Sequence, residues 1–317
     1  MKFLVTGGAG FIGWHLCRAL LLRGDQVAVL DNLDPAYDPS EKLKNLSDLH
    51  ALSQPGQLNI VQGDIRDAAL YPQLLSGADG VFHLAALAGV RASALSPSRY
   101  MDVNVRGTIF LLSAMGQCGV KSAVYASSSS IYGDNPIPFC EQTPGDPLSP
   151  YGRTKLSAEL LCSAHSHAWE AGIACARLFS VYGPRQRPDL ALRRFATALM
   201  RCAPVELYGN CTRDYTDVED TVQGLLLCMK WAQAHKTCEA FNIAAGRAVS
   251  TEQMLSLLEK ELNGASRKLR LPRQPLDAEH TLADLTRART ILGYEPKIPF
   301  EEGVHRFLRW MTATDHC

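Results

Sequence analysis

The sequence of 317 residues predicts an α/β protein, built on a doubly wound parallel sheet and followed by a smaller C-terminal α/β domain. Two observations carry this prediction. The first half of the chain alternates short apolar runs with segments of helical period, which is typical of right-handed parallel βαβ units. After about residue 180 the alternation stops, at a stretch rich in proline, glycine and arginine that is typical of a loop.

The first half supplies the strands of the main sheet. Apolar runs predict buried strands at 2–6, 26–30, 58–62, 80–84, 122–126 and 173–179, and helical periods occupy 12–23, 100–118 and 150–171. In the second half, helices are expected around 190–202, 218–234, 251–262, 283–291 and 300–311, with short strands at 205–209, 241–245 and 267–272. The segment 240–245 is a candidate for a further strand of the main sheet.

Composition excludes several classes of protein. Lys+Arg and Asp+Glu both number 32, so the chain lacks the basic excess typical of proteins that bind nucleic acid or anionic membranes. No apolar run approaches the roughly 20 residues of a membrane span. The first residues begin a strand, which leaves no room for a signal peptide. The ten cysteines lack metal-ligand spacing, so we expect no metal site, reduced thiols and a cytoplasmic location.

A glycine-rich loop follows the first strand and opens the first helix. In "TGGAGFIG" (6–13), Gly7, Gly10 and Gly13 form G-x-x-G-x-x-G. Such glycines permit a tight turn and close approach of a pyrophosphate, while free N–H groups at the helix start bind the anion. The motif has the strand before it and the helix after it that a dinucleotide site requires.

An acidic residue closes the second strand. Asp31 lies eighteen residues after Gly13, where a carboxylate can accept hydrogen bonds from both ribose hydroxyls of NAD and would repel the 2′-phosphate of NADP. The next residues contain no arginine for a phosphate, so NAD is the predicted cofactor. Asp64, after the third strand, is placed beside the adenine, although a helix cap explains this residue nearly as well.

A tyrosine and a lysine occupy one face of a predicted helix. Tyr151 and Lys155 are four residues apart, and Ser149-Pro150 marks the start of the helix. An ammonium beside a phenol favours the phenolate, and a cationic nicotinamide would add to that effect. Tyr151 is therefore a candidate general base for an alcohol that loses hydride.

These motifs together resemble the extended short-chain dehydrogenase/reductases, and within them the nucleotide-sugar epimerases and dehydratases. The resemblance spans nearly the whole chain and includes the segments "TGGAGFIG" (6–13), "DNL" (31–33), "GDIRD" (63–67), "HLAALAGV" (83–90), "ASSSSIYG" (126–133), "YGRTK" (151–155), "GPRQRPD" (183–189), "RDYTDVED" (213–220) and "TLADLTRARTILGY" (281–294).

The resemblance implies a site and a division of the chain. Residues 1–179, with a return segment near 215–245, would form an NAD-binding Rossmann domain, and 180–214 with 246–317 would bind the nucleotide sugar. Ser128, Tyr151 and Lys155 would be catalytic. The implied cofactor-binding residues are Gly7, Gly10, Phe11, Ile12, Gly13, Asp31, Asn32, Asp64, Ile65, Leu84, Ala85, Ala86, Tyr151 and Lys155; the implied substrate-binding residues are Ser128, Ser129, Ser130, Ser180, Arg187, Arg213 and Asp277.

The resemblance also bears on the reaction. The related 4,6-dehydratases carry Thr-Asp-Glu where this chain has Ser128-Ser129-Ser130, and serines cannot readily replace that acid and base. We therefore expect 4-epimerisation: oxidation of a nucleotide sugar at carbon 4, turnover of the bound 4-ketose, and return of hydride to its other face. Arg213 would bind the diphosphate and Asp277 the ribose.

The stretch 177–189 favours a uronate substrate. "RLFSVYGPRQRPD" looks like the corresponding stretch of UDP-glucuronate 4-epimerases, which usually have threonine at the position of Ser180, whereas most UDP-hexose epimerases have asparagine there. Ser180 and Arg187 would bind the carboxylate, although Arg187 could also be structural or bind the diphosphate. The alternatives are a 4-epimerase of UDP-glucose or UDP-N-acetylglucosamine, a UDP-glucuronate decarboxylase, or a catalytically idle NAD-binding regulator. The resemblance further implies a homodimer through helices 100–118 and 150–171.

Overall fold

The computed structural model describes residues 1–209, 211–273 and 275–314. Its strands are β1 (Lys2–Thr6), β2 (Gln26–Asp31), β3 (Leu58–Gln62), β4 (Gly80–His83), β5 (Ser122–Ser128), β6 (Gly172–Leu178), β7 (Ser180–Tyr182), β8 (Val205–Tyr208), β9 (Thr212–Asp217), β10 (Cys238–Ile243), β11 (Ala248–Ser250) and β12 (Lys268–Leu271).

The α-helices are α1 (Phe11–Leu22), α2 (Pro39–Leu52), α3 (Tyr71–Leu75), α4 (Val90–Leu95), α5 (Pro97–Tyr100), α6 (Gly107–Cys118), α7 (Pro150–Trp169), α8 (Ala191–Met200), α9 (Val218–Ala234), α10 (Thr251–Glu261) and α11 (Phe300–Thr314). Short 3₁₀ turns occupy Ala68–Leu70 and Ser129–Ile131, and π-helical turns occupy Met101–Arg106 and Ala288–Leu292.

Seven of the described strands form one parallel sheet, in the order β10-β6-β5-β4-β1-β2-β3. Strand order reverses beside β1, as in a doubly wound sheet, so the predicted fold class is confirmed. The candidate return segment is also a strand of this sheet, because β10 pairs with β6 from Cys238↔Ile173 to Ile243↔Leu178.

The sheet buries both faces. Side chains alternate along β1, so that Phe3 and Val5 belong to a core with α1 and α9, whereas Leu4 packs on the opposite side with α3, α6 and α7. A third core, which includes Phe195, Leu255 and Phe307, packs α8, α10 and α11 of the second half together. The second half thus has an apolar core of its own.

The structure modifies two local predictions. The loop expected from residue 181 begins only after Tyr182, because residues 180–182 form β7 and pair with β9. The helix expected at 283–291 is instead a short turn that ends as the π-helical Ala288–Leu292. The other predicted helices and strands of the second half are present, with ends that differ by at most three residues.

Buried carboxylates join the second half to the main sheet. Asp214, in β9, accepts hydrogen bonds from the backbone amides of Ala245 (2.9 Å), Gly246 (3.0 Å) and Ala283 (3.2 Å). Asp220, in α9, accepts from the amides that begin the approach to α11, at residues 297 and 298. These acids belong to "RDYTDVED", so this motif is partly a set of structural ties between segments distant in sequence.

Candidate active site

The glycine loop lies at the carboxyl edge of the sheet, between β1 and α1. Gly7 has φ of 74°, donates to the carbonyl of Leu30 (2.8 Å) and packs so closely on the next strand end that a Cβ would lie 2.8 Å from the amide of Ala85. Gly10 caps α1 without a side-chain hydrogen bond, so amides of the first turn face the loop free of a capping side chain. Because glycine has no Cβ, residue 7 can pack this closely, and the loop backbone stays free to approach an anion.

The acid at the end of β2 holds the loop in shape. Asp31 is buried; its Oδ2 accepts from the amide of Ala9 (3.1 Å) and its Oδ1 from that of Leu33 (2.9 Å). The carboxylate therefore lies directly beside the glycine loop, where a nucleotide ribose would be held if a pyrophosphate lay on α1. Asn32, the next residue, points its amide to Asp64 (3.0 Å).

Asp64 has structural partners on both oxygens. Its Oδ1 accepts from the backbone amide (2.9 Å) and Nε (2.8 Å) of Arg66, and its Oδ2 accepts from Arg66 Nη2 (2.8 Å) and from Asn32. These bonds to Arg66 hold the pKa of Asp64 far below its usual range. Asp64 is not the helix cap that the sequence offers as an alternative, because Asp67 caps the following 3₁₀ turn by accepting from Ala69 N (3.0 Å). The place of Asp64 beside the adenine stays a prediction.

Other predicted cofactor residues line the same edge. The segment after β4, which includes Leu84, Ala85 and Ala86, is fixed over the glycine loop by Thr6, whose carbonyl accepts from Leu84 N (3.1 Å) and whose hydroxyl accepts from Ala85 N (3.2 Å). Phe11, Ile12 and Gly13 form the first turn of α1, and Ile65 packs under α6. His83 is a buried strand residue between two threonine hydroxyls, and burial lowers its pKa to about 3.

The structure brings Ser128, Tyr151 and Lys155 together. Ser149 caps α7 by accepting from Gly152 N (3.1 Å), and Gly152 approaches so closely that a Cβ would lie 2.6 Å from the carbonyl of Ser130. This contact presses the first turn of α7 against the end of β5. As a result, Ser128 is close enough to Tyr151 to act on the pKa of its phenol, and Lys155 lies one helical turn further on.

The serine run divides between two environments. Ser128 faces Tyr151, and Ser129 and Ser130 form the partly exposed 3₁₀ turn that follows. Ser127 points to the other side of the strand, where its hydroxyl donates to Glu159 within a buried network. The four hydroxyls therefore do not all point toward Tyr151, because alternate residues of a strand point in opposite directions.

Burial and two neighbouring groups act on the phenol of Tyr151. Burial raises its pKa, and the Ser128 hydroxyl and then the charge of Arg187 oppose this rise. Burial also lowers the pKa of Lys155 to about 8. Ser128 and Arg187 therefore oppose the effect of burial on the phenol, and the contribution of Lys155 to its pKa stays a prediction.

Arg187 reaches the site from the loop after β7. Its Nε and Nη2 donate to both oxygens of Asp189 (2.9 and 2.7 Å), and its charge acts on Tyr37, Tyr100 and Tyr151. A bidentate carboxylate fixes the plane of the guanidinium and leaves Nη1 without a partner in Asp189. The arginine thus places a positive charge beside the candidate base.

The remaining predicted substrate residues lie in the second half. Ser180 begins β7, opposite Tyr215 of β9. Arg213 donates from Nη1 to the carbonyls of Thr212 and Glu279, both at 2.9 Å. Asp277 belongs to the same loop as Glu279, so Arg213 and Asp277 are neighbours through this loop. The structure shows no direct contact of either residue with Tyr151.

Several residues near the site carry no motif that singles them out. Asn104 donates from Nδ2 to Leu87 O (2.9 Å) and to Thr154 Oγ1 (3.0 Å), which joins the segment after β4 to α7. Tyr100 packs edge-on against Tyr151 with 6.4 Å between ring centroids. Spacing alone does not reveal these residues, because the chain between them is about fifty residues long.

The described residues contain no group of three or more His, Cys, Asp or Glu side chains that could hold a metal ion. Within the same residues, no helix is long and apolar enough to cross a membrane. The residues that converge at the carboxyl edge instead offer a cradle for an anion, a buried carboxylate, a hydroxyl pair and two cations.

Comparison with known proteins gives consistent results. The family model described as GDP-mannose 4,6 dehydratase matches residues 4–307. The UDP-glucuronate 4-epimerase of Thermodesulfobacterium geofontis is 37% identical over 314 residues, which are 97% of this chain and 95% of that protein.

Two solved structures are similar over nearly their full lengths. The UDP-glucuronic acid 4-epimerase of Bacillus cereus, in complex with UDP-glucuronic acid and NAD, has a TM-score of 0.93 and 32% identity and covers 99% of this chain and 100% of its own. The UDP-glucose 4-epimerase of Thermotoga maritima, with UDP-glucose, has a TM-score of 0.88 and 30% identity and covers 99% of both chains.

Proposed function

This chain belongs to the GDP-mannose 4,6 dehydratase family of short-chain epimerases and dehydratases, and we propose that it is an isomerase that interconverts UDP-glucuronate and UDP-galacturonate with NAD as cofactor. The observation that carries the proposal is Arg187, which Asp189 holds on the loop after β7 and whose charge acts on Tyr151 and lowers the pKa of its phenol. A positive charge at this point suits a sugar whose carbon 5 bears a carboxylate.

The residues at the sheet edge fit NAD. The close-packed backbone at Gly7 and the free first turn of α1 suit a pyrophosphate, and buried Asp31 suits a ribose diol. Asn32, Asp64, Ile65 and the segment 84–86 complete the proposed wall. When bound, NAD accepts hydride from carbon 4 of the sugar and returns it.

We assign the proton chemistry to the chain's own residues. Tyr151, as phenolate, removes the proton of the 4-hydroxyl during oxidation and returns it after the 4-ketose has turned over. Ser128 lowers the pKa of this phenol, and it also orients the 4-hydroxyl. Lys155 anchors the nicotinamide ribose, and its ammonium favours release of the hydroxyl proton.

Substrate recognition is assigned to the second half and the serine turn. Arg187 and Ser180 would hold the carboxylate, Arg213 the diphosphate, and Asp277 the nucleotide ribose, with Ser129 and Ser130 against the sugar. A 4-keto uronate is a β-keto acid that loses carbon dioxide readily. A fixed carboxylate therefore protects the intermediate during epimerisation.

The proposed domains follow the same division of labour. Residues 1–179 with the return segment near 215–245 would hold NAD, and residues 180–214 with 246–317 the nucleotide sugar. The separate core of α8, α10 and α11 and the position of β10 in the main sheet support this division.

We also propose a homodimer and a cytoplasmic location. Met101, Ile109 and Leu160, on the helical segments that flank the main sheet, are each more than 40% exposed, and a second copy would cover them. Cys175 and Cys238 remain thiols although their sulfurs are 3.7 Å apart, which suits a reducing compartment. Cys317 lies outside the described residues.

The experiment that tests the function is incubation of the purified protein with UDP-glucuronate and NAD⁺, followed by proton NMR of the sugar nucleotides. We expect UDP-galacturonate and no pentose. Formation of UDP-xylose or a 4-keto pentose would instead identify a decarboxylase, and conversion of UDP-glucose alone would identify a hexose epimerase.

A matched pair of variants tests the carboxylate assignment. Arg187→Gln should lower kcat/KM for UDP-glucuronate by about 10- to 100-fold, as expected for a lost bond to a charged group. Arg185→Gln removes a charge from the same loop, but Arg185 is bound to Asp48 (2.5 Å), so its effect on kcat/KM should be much smaller. Equal losses in both variants would contradict the assignment.

UDP-glucose 4-epimerisation is a second candidate, because Arg187 already has a bidentate carboxylate partner in Asp189. In that case Arg187 would be structural, and Arg187→Gln would change kcat/KM for UDP-glucose and UDP-glucuronate by similar factors.

A further inference from the structure

Lys155 is an ammonium group buried without a carboxylate partner. Its residue is 4% exposed, and Nζ donates one hydrogen bond, to the carbonyl of Ala126 (2.7 Å). Among the described residues no carboxylate lies within 4 Å of Nζ. A buried cation with a single neutral acceptor is costly, so other groups must favour its charged form.

The face of the Tyr125 ring supplies such a group. Nζ of Lys155 lies 4.9 Å from the centroid of this ring and 5.9 Å from that of Tyr151, both within the range of a cation–π interaction. Tyr125 belongs to β5, three residues before Ser128, so one strand carries both the hydroxyl and the ring.

The hydroxyl of Tyr125 takes no part in this cation–π interaction. It is buried and has no hydrogen-bond partner among the described residues. A phenylalanine would fill the same space without leaving a polar atom unpaired, so hydrogen bonding does not explain the tyrosine. The polar contacts of this side chain are therefore those of its ring, which faces the Lys155 ammonium and also lies 5.7 Å from the ring of His83.

Other groups around Lys155 do not replace the ring. His83, on β4, is neutral at physiological pH because burial keeps its pKa at about 3. Glu159, one turn further along α7, raises the pKa of Lys155 through its charge, but its partner is Arg177, which binds it through Nε (3.1 Å) and Nη2 (2.8 Å). Cys162 is a buried thiol on the same helix.

We infer that Tyr125 is a positioning residue, whose ring holds the Lys155 ammonium in place at the end of β5 and stabilises its charged form. The inference rests on the proposed function only for the catalytic use of Lys155. The contact itself is a property of the protein, so it has a test that does not require turnover.

The test replaces Tyr125 with phenylalanine and then with 3,5-difluoro- and 3,4,5-trifluorophenylalanine. Fluorine withdraws electron density from the ring face and weakens a cation–π interaction with little change of shape. The pKa of Lys155 is measured in the full-length protein by carbon NMR after labelling lysine at Cε, with Lys155→Arg to assign the signal. Thermal unfolding of each variant establishes that it is folded.

The expected result is stepwise. Tyr125→Phe should leave the pKa of Lys155, which burial sets at about 8, unchanged, because the ring is retained. Each fluorinated ring should lower this pKa further, by about 0.5 to 1 for the trifluoro ring, since a weaker interaction favours the neutral amine. A pKa that stays constant across the three rings would overturn the inference.

The activity readout separates this inference from the proposed function. If charged Lys155 is needed for turnover, the alkaline limb of the kcat profile should move to lower pH together with the NMR pKa. A shifted pKa without turnover of UDP-glucuronate in any variant, wild type included, would support the contact and contradict the proposed function.

Discussion

Two regions of this molecule bury charge in opposite ways. At the end of β5, the ammonium of Lys155 has one carbonyl acceptor and two aromatic faces. Around β9, the carboxylate of Asp214 is fully buried and has no ion-pair partner among the described residues, but three backbone amides donate to it. Burial moves both pKa values toward neutrality, to about 8 for Lys155 and about 6 for Asp214.

The two charges differ in the number and kind of their hydrogen-bond partners. Asp214 accepts from amides of segments far apart in sequence, so its charge fixes the fold and removing it breaks three bonds at once. Lys155 donates one hydrogen bond and lies one helical turn from Tyr151. We infer that buried charge with many backbone partners is structural here, whereas buried charge with few partners is available for chemistry.

The largest expected effect comes from comparing two tyrosines, one proposed to act in catalysis and one that stabilises the fold. Tyr151→Phe should lower kcat for epimerisation by about 10²- to 10⁴-fold, the usual contribution of a general base, with little change in the free energy of unfolding. Tyr294→Phe removes a hydroxyl that donates to Ala244 O (3.0 Å) outside the site, and should lower the free energy of unfolding by about 1 kcal/mol with kcat unchanged. Assays of turnover and chemical denaturation measure both. The comparison fails if Tyr151→Phe retains wild-type kcat.

The next effect concerns the carboxylate that joins the halves. Asp214→Ala leaves three amides without an acceptor, that of Ala283 buried, and should lower the free energy of unfolding by about 3 kcal/mol. Asp284→Ala is a matched control, because Asp284 accepts one amide, of Thr286 (2.7 Å), at an exposed position; its cost should be about 1 kcal/mol. Equal denaturation midpoints for the two variants would show that Asp214 does not hold distant segments of the fold together.

A third test uses pH. Burial raises the pKa of Asp217 to about 6, and its Oδ2 has no partner among the described residues. The folded state therefore binds the proton more tightly than the unfolded state, so this carboxyl's contribution to stability is present below about pH 4 and is lost as pH rises through 6. Relative to wild type, Asp217→Asn should gain up to about 3 kcal/mol between pH 4 and 7, measured by urea unfolding. A difference independent of pH would contradict the raised pKa.

The smallest effect lies within the serine run. Ser128→Ala removes the hydroxyl that lowers the pKa of Tyr151, so kcat should fall about tenfold and its acid limb should move to higher pH. Ser127→Ala, whose wild-type hydroxyl donates to Glu159, should lower stability and leave the pH profile in place. A pH profile that moves equally in both variants would remove the distinction between the two serines.

The sequence predicted the main sheet well because its strands are continuous apolar runs between helices of clear period. The glycine loop, Asp31 and the pair Tyr151 and Lys155 were predicted for the same reason, since each has its strand or helix next to it in sequence. The side of the strand to which each serine of the run points was harder to predict, because a run of identical residues does not reveal the strand's register.

The parts that the sequence did not predict depend on contacts between distant segments. Tyr125 lies in an ordinary apolar run, and its position over Lys155 depends on the packing of α7 against β5. Asp214 lies in a motif that was interpreted as a diphosphate site through Arg213, whereas its amide partners are 31 to 69 residues away. Desolvation, which dominates the pKa of Tyr151, also depends on the complete fold.

The order of strands in the main sheet has a consequence for synthesis of the chain. The edge strand β10 begins 60 residues after β6 ends, at Cys238 against Leu178, yet the two are neighbours. A ribosome adds about 5–20 residues per second, so a nascent chain exposes the outer edge of β6 for several seconds. An unpaired edge strand is a template for association with other chains. A polypeptide released before residue 238 should therefore aggregate, although it carries the whole glycine loop, Tyr151 and Lys155.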